Sequence, residues 1–103
     1  MNRQAKTLIS NAANPTTGEW FETGGYIHSF DATLTGTAAV IEIYGSNSGD
    51  GAGVKLGTIT LSAAEPSDGA SLPEESKGWM MVRAKVVSTT GGVKSVAACV
   101  GEE

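Results

Sequence analysis

The sequence predicts an all-β protein, an antiparallel β-sandwich with jelly-roll-like packing and an extended N-terminal arm. Three observations carry that expectation. The 103 residues include 14 Gly, 13 Ala, 11 Thr and 10 Ser against 5 Leu, a small-residue composition that tolerates strands and does not favour long amphipathic helices. Apolar and polar residues alternate with period two in several short runs bounded by Gly, Asn, Asp and Ser. No helical pattern separates those runs, which argues for antiparallel packing over a βαβ design. The length suits one core, with residues 1–18 read as an arm and linker and residues 19–103 as a single β-sandwich domain.

The arm is expected because residues 1–18 carry Arg3 and Lys6 and no acid. Net charge is −4, so a leader of +2 precedes a body of −6. Within it, residues 5–10 (Ala-Lys-Thr-Leu-Ile-Ser) form a β-capable run and residues 11–18 read as a linker. Such a run can pair with a neighbouring chain through its backbone.

In the body, residues 26–34 place Tyr26, His28, Phe30, Ala32 and Leu34 on one face, and residues 38–44 alternate Ala39, Ile41 and Ile43 with Val40, Glu42 and Tyr44. The loop 45–53 is rich in residues that accept positive φ. Residues 54–61 form a third strand whose uneven split predicts a bulge near Gly57. Residues 62–78 are non-periodic, the pattern of a contact surface or mobile loop. Residues 79–88 set Met80, Val82, Ala84 and Val86 inward and Trp79, Met81, Arg83, Lys85 and Val87 outward. The turn at residues 89–92 (Thr-Thr-Gly-Gly) is read as a hairpin joining them to residues 93–100. The count is six or seven strands.

Catalytic and metal chemistry find little footing. Cys99 is the one cysteine and His28 the one histidine, which excludes multi-thiolate and multi-imidazole sites. His28 and Asp31 point to opposite faces of a strand, so no relay through Ser29 forms locally. Asp50 and Asn47 share a glycine-rich loop but supply one carboxylate, short of a calcium set. Glu19 with Glu22, and Glu74 with Glu75, read as solvated loop charges. Gly24-Gly25 and Gly91-Gly92 lack the Lys and helix of a phosphate cradle. The expectation is a protein that is not an enzyme, with no cofactor, no metal and no catalytic residue. The acidic balance argues against nucleic acid as a partner. No apolar run approaches the about 20 residues of a membrane span and no signal-peptide region follows the start, so a soluble chain made in the cytoplasm is expected. Trp20, Phe21, Tyr26 and Trp79 divide between core and contact roles.

The runs 39–47 (Ala-Val-Ile-Glu-Ile-Tyr-Gly-Ser-Asn), 56–62 (Leu-Gly-Thr-Ile-Thr-Leu-Ser) and 78–86 (Gly-Trp-Met-Met-Val-Arg-Ala-Lys-Val), with the Thr90-Gly91-Gly92 turn, carry a resemblance. From about Gly24 to Gly101 the chain resembles small β-proteins of tailed-bacteriophage structural modules, in particular capsid decoration (cement) proteins. The resemblance implies a virion structural protein bound to the outer surface of the assembled head. Its implied partners are the major capsid protein and further copies of itself, as a trimer or dimer. The expected capsid contact is the basic arm, with Arg3, Lys6, Leu8 and Ile9; the expected oligomer or partner face is Trp79, Met81 and Arg83. The alternative is a carbohydrate- or receptor-binding module of a phage tail or fibre, stacking sugars on Trp20, Tyr26 or Trp79.

Overall fold

The computed structural model describes residues 3–102. Among them the chain forms β1 (Arg3–Ala12), β2 (Thr16–Thr17), β3 (Phe21–Glu22), β4 (Tyr26–Leu34), β5 (Ala38–Ser46), β6 (Val54–Ser62), β7 (Ser67–Ser71), a 3-10 turn at Glu74–Ser76, β8 (Met81–Thr90) and β9 (Val93–Gly101). They make two antiparallel sheets, ordered β1-β9-β4-β7 and β2-β8-β5-β6, with β3 also on β8. We call these the first and second sheets.

The pairings nest. β1 joins β9, β2 and β3 join β8, β4 joins β7, and β5 joins β6. The chain is therefore one long hairpin, its tip between β5 and β6, rolled so that its segments are shared between two sheets. Pairing of β4 with β9 and of β5 with β8 closes the roll. This is a jelly roll, and the antiparallel β-sandwich expected from period-two patterning is what forms.

The expected hairpin of the last two strands is corrected. β8 and β9 do not form a hairpin, since they lie in opposite sheets. Their apolar faces, Val82, Ala84 and Val86 on one and Val96, Ala98 and Val100 on the other, all enter the core between the sheets. The turn after Thr90 is an arch, and a second arch at residues 35–37 is tied to it. Thr35 and Gly36 donate their N–H groups to Gly92 O, each at 3.1 Å, and Thr37 N–H donates to Thr90 O at 2.9 Å. The arches meet backbone to backbone: a Cβ on Gly36 would sit 2.1 Å from Thr90 O.

The N-terminal segment is extended, as expected, but it does not stand off the body as an arm. Its partner is β9 of the same chain, from Arg3 opposite Gly101 to Ala12 opposite Val93. A bulge at Leu8, between the pairs Thr7–Ala97 and Ile9–Val96, turns two successive side chains inward, and Leu8 and Ile9 keep only 5% and 7% exposure. A free arm would leave both in water, whereas pairing buries them, each burial being worth about 1.5–3 kcal/mol.

Similar bulges adjust the other strands. The pairs Ile27–Val100 and Ser29–Cys99 leave His28 as the extra residue of β4, so Ile27 is buried together with His28 although alternation placed them on opposite faces. In β6 the register slips between Gly57 and Lys55, where a bulge was expected. Gly57 is required there for packing: a Cβ would lie 2.5 Å from Cζ of Phe30, which reaches across from the other sheet. β7, an edge strand of five exposed residues inside the stretch read as non-periodic, gives no apolar signal and forms by pairing with β4. Met80, expected in the core, precedes β8 and is 52% exposed.

Candidate interaction surface

The outer faces of the two sheets differ in chemistry. On the first sheet the outward positions are small, with Ala5, Ser29, Asp31, Ser71, Ala97 and Cys99 lining a shallow trough of about 490 Å³. On the second sheet the register sets Tyr44 beside Arg83, Glu42 beside Lys85, and Tyr44 beside Lys55 on the opposite strand. Three cations surround one carboxylate there, on a chain whose net charge is −4. Tyr44 Oη donates to Glu42 Oε1 at 2.5 Å, and Lys55 Nζ lies 3.6 Å from Glu42 Oε2. The Tyr44 hydrogen bond, opposed by burial and reinforced by Lys55, holds the Glu42 carboxyl below the usual carboxylate range. The same bond to Glu42 raises the Tyr44 hydroxyl above its ordinary value.

At one end of this face the loop between β5 and β6 folds onto an aromatic and a guanidinium. Arg83 Cζ stands 4.5 Å over the Trp20 ring, and Arg83 Nη2 donates to Gly51 O at 2.9 Å. The loop comes close enough that a Cβ on Gly53 would lie 2.5 Å from Trp20 Cη2, and one on Gly49 would lie 2.9 Å from Met81 Sδ. Ser46 Oγ accepts the N–H groups of Ser48 and Gly49 at 3.2 and 3.0 Å, while Asn47 Oδ1 accepts Met80 N–H at 3.2 Å. Asn47, weighed in the sequence as a calcium ligand, thus holds the loop to the lead-in of β8. Trp20 Nε1 is buried here without a hydrogen-bond partner.

The expected partner face divides. Met81 and Arg83 share the outer side of β8, but Trp79 does not join them. It lies before β8 begins, where its N–H donates to Lys77 O at 2.9 Å, and its indole covers Gly45 next to Leu56, packed on the core. Strand parity fails for Trp79 because it is not in the strand. Trp20 takes its place in the cluster. It sits in the irregular stretch after β2, where periodicity carries no signal; only its residue type marked it beforehand.

The expected capsid-contact set also divides. Leu8 and Ile9 are core. Lys6 turns toward the second sheet, with Nζ 5.0 Å from the centre of the Phe21 ring, so that its stem closes the side of the sandwich. Of the four, Arg3 alone is exposed, and Lys6 is half-buried.

His28 is 6% exposed, and neither ring nitrogen has a partner; Tyr26 lies beside it with ring centroids 6.0 Å apart. Asp31 is exposed on the outer face of the same strand, away from it.

The fold and this surface define a jelly-roll module with one small-residue face and one basic face bearing an aromatic, guanidinium and thioether cluster. Comparison with family models, with curated proteins and with solved structures returns no match.

Proposed function

We propose that the chain is a virion structural protein, a decoration or cement protein bound to the outer surface of an assembled phage head, with the major capsid protein as its partner. The observation that carries the reading is the Trp20, Met81 and Arg83 cluster. Trp, Met and Arg are the residue types enriched at protein interfaces, and here a rigid sheet and a pinned loop hold them in place, which lowers the ordering cost of docking. Exposed Met80 and Val54, each 52% exposed, add apolar area on the same protein. Lys55, Arg83 and Lys85 would complement an acidic capsid surface.

The mechanism is associative. The module binds the assembled shell and not separated subunits, so its binding free energy adds to shell stability by mass action. Repetition over the shell compensates for moderate affinity at each site. Sugar stacking draws less support, because one face of Trp20 is taken by Arg83, Trp79 covers Gly45, and Tyr26 leans on His28. The test is addition of purified protein to bare heads followed by sedimentation. Stoichiometric binding that Lys85→Glu weakens is expected; no co-sedimentation, or saturable quenching of tryptophan fluorescence by glycans without affinity for heads, would overturn the reading.

A further inference from the structure

We propose that Asp50-Gly51 is a self-modification site, where the folded chain converts aspartate to isoaspartate and so releases the loop between β5 and β6 from Arg83, while the second Asp-Gly step, Asp68-Gly69, is held unreactive by its strand. This inference does not rest on the capsid reading.

An aspartate followed by glycine can close a five-membered imide, because glycine has no Cβ to shield its nitrogen. The nitrogen bonds to Cγ of the aspartate and the Cγ–O bond breaks. The oxygen leaves as water, with the N–H proton and one proton from solvent. A water molecule then reopens the ring and returns a proton to each side. Cleavage at Cγ restores aspartate; cleavage at the main-chain carbonyl leaves isoaspartate, whose backbone runs through Cβ and Cγ. Closure needs the peptide plane between the two residues to turn, so that the face of the nitrogen meets Cγ.

The chain contains the step twice, which makes the fold the deciding variable. In β7 the plane is locked. Leu34 N–H donates to Pro66 O at 2.7 Å and Leu72 N–H donates to His28 O at 2.9 Å, and between these the register is unbroken, with Asp68 opposite Ala32. Alternation then sets the N–H and C=O of Asp68 on Ala32 and turns the Gly69 N–H out of the sheet, where it donates to Asp68 Oδ1 at 2.8 Å. That bond lies in the peptide plane and points the proton, not the face of the nitrogen, at the carboxylate. Turning the plane would break the Asp68 C=O bond to β4 and move Gly69, whose Cβ position lies only 2.3 Å from Phe30 O.

At Asp50 the plane is free. Among the described residues neither the Asp50 carbonyl nor the Gly51 N–H has a hydrogen bond, both residues are exposed, and nothing lies within 4 Å of the Gly51 Cβ position. The groups just outside the plane are held: Asp50 N–H donates to Ser48 Oγ at 3.2 Å and Gly51 O accepts Arg83 Nη2 at 2.9 Å. The step is thus a swivel between two fixed points. One extra backbone carbon there pushes Gly51 O off the guanidinium, and Arg83 keeps only Trp20. Net charge is unchanged, so the modification alters the geometry of the surface and not its charge.

Ageing the folded wild-type chain in warm neutral buffer made with heavy-oxygen water tests this, since every reopening places one solvent oxygen in the peptide. Peptide mapping should find label and isoaspartate at position 50 on the order of tenfold or more faster than at 68, because β7 must first leave β4, each tenfold being about 1.4 kcal/mol of opening. In concentrated urea the two rates should converge. Asp50→Glu, whose ring would have six members, should stop the reaction at 50. Tryptophan fluorescence should shift in step with isoaspartate at 50 and stay constant in aged Asp50→Glu. Equal or faster labelling at 68 in the folded chain would overturn the proposal. So would a rate ratio unchanged by urea, which would assign the difference to neighbouring residues, or isoaspartate at 50 without a fluorescence shift.

Discussion

Arg83 stands over Trp20, its Cζ 4.5 Å from the ring centre, and with the same guanidinium holds Gly51 O at 2.9 Å. One side chain thus couples β8, the segment after β2, and the tip of the rolled hairpin. Arg83→Ala is expected to cost about 1–2 kcal/mol in urea unfolding, the sum of a part-exposed cation–π contact and a charged hydrogen bond. Arg83→Lys should recover little of it, because an ammonium lacks the planar fork. Full recovery by lysine would show that charge alone matters.

The contact of Gly36 with the Thr90 arch makes a second prediction. Gly36→Ala would set Cβ 2.1 Å from Thr90 O and 2.4 Å from Gly91 Cα, and backbone cannot step aside as a flexible side chain can. A loss of about 3 kcal/mol is expected. Gly78→Ala is the control: nothing lies within 4 Å of its Cβ position, and the change should be neutral or mildly stabilising. Equal effects of the two in thermal unfolding would remove the arch contact from the account.

His28 is buried with both ring nitrogens unpartnered. Replacing an unsatisfied polar group by an apolar one of similar size is neutral or favourable. His28→Leu should therefore leave stability unchanged or raise it by up to about 1 kcal/mol, read from chemical denaturation at neutral pH. A loss of about 2 kcal/mol would mean that the imidazole serves a partner.

The Tyr44 to Glu42 hydrogen bond gives a pH dependence with a definite sign. Glu42 titrates lower folded than unfolded, so its stabilisation is present above the unfolded value, about 4.3, and is lost as pH falls through the lower folded value. Tyr44 titrates higher folded, so its share is present below about 10 and is lost as pH rises through the higher folded value. Wild type should exceed Tyr44→Phe in stability at neutral pH, and the gap should close in acid. A gap that stays constant from pH 7 to pH 3 would sink the linkage.

The inner faces of the strands show how far alternation reads. Phe30, Ala32 and Leu34, then Ala39, Ile41 and Ile43, then Val82, Ala84 and Val86 are buried as their period predicts. Alternation fails where a bulge adds a residue, as at Leu8 and His28, and where a residue precedes its strand, as with Trp79 and Met80. The candidate surface was partly readable: Met81 and Arg83 fall on the outer face by parity, while Trp20 reaches them only through the fold.

By itself, the amino-acid sequence determined the class of structure: small, β-tolerant residues alternating in short runs leave a chain no stable solution except facing antiparallel sheets. Tertiary structure decided which strand pairs with which. A Thr-Thr-Gly-Gly turn serves a hairpin or an arch equally well, and the exposed residues of β7 signal no strand at all; only burial of both apolar faces selects the arch. The same global condition draws β1 against β9, because Leu8 and Ile9 leave water when the chain's two ends meet in one sheet.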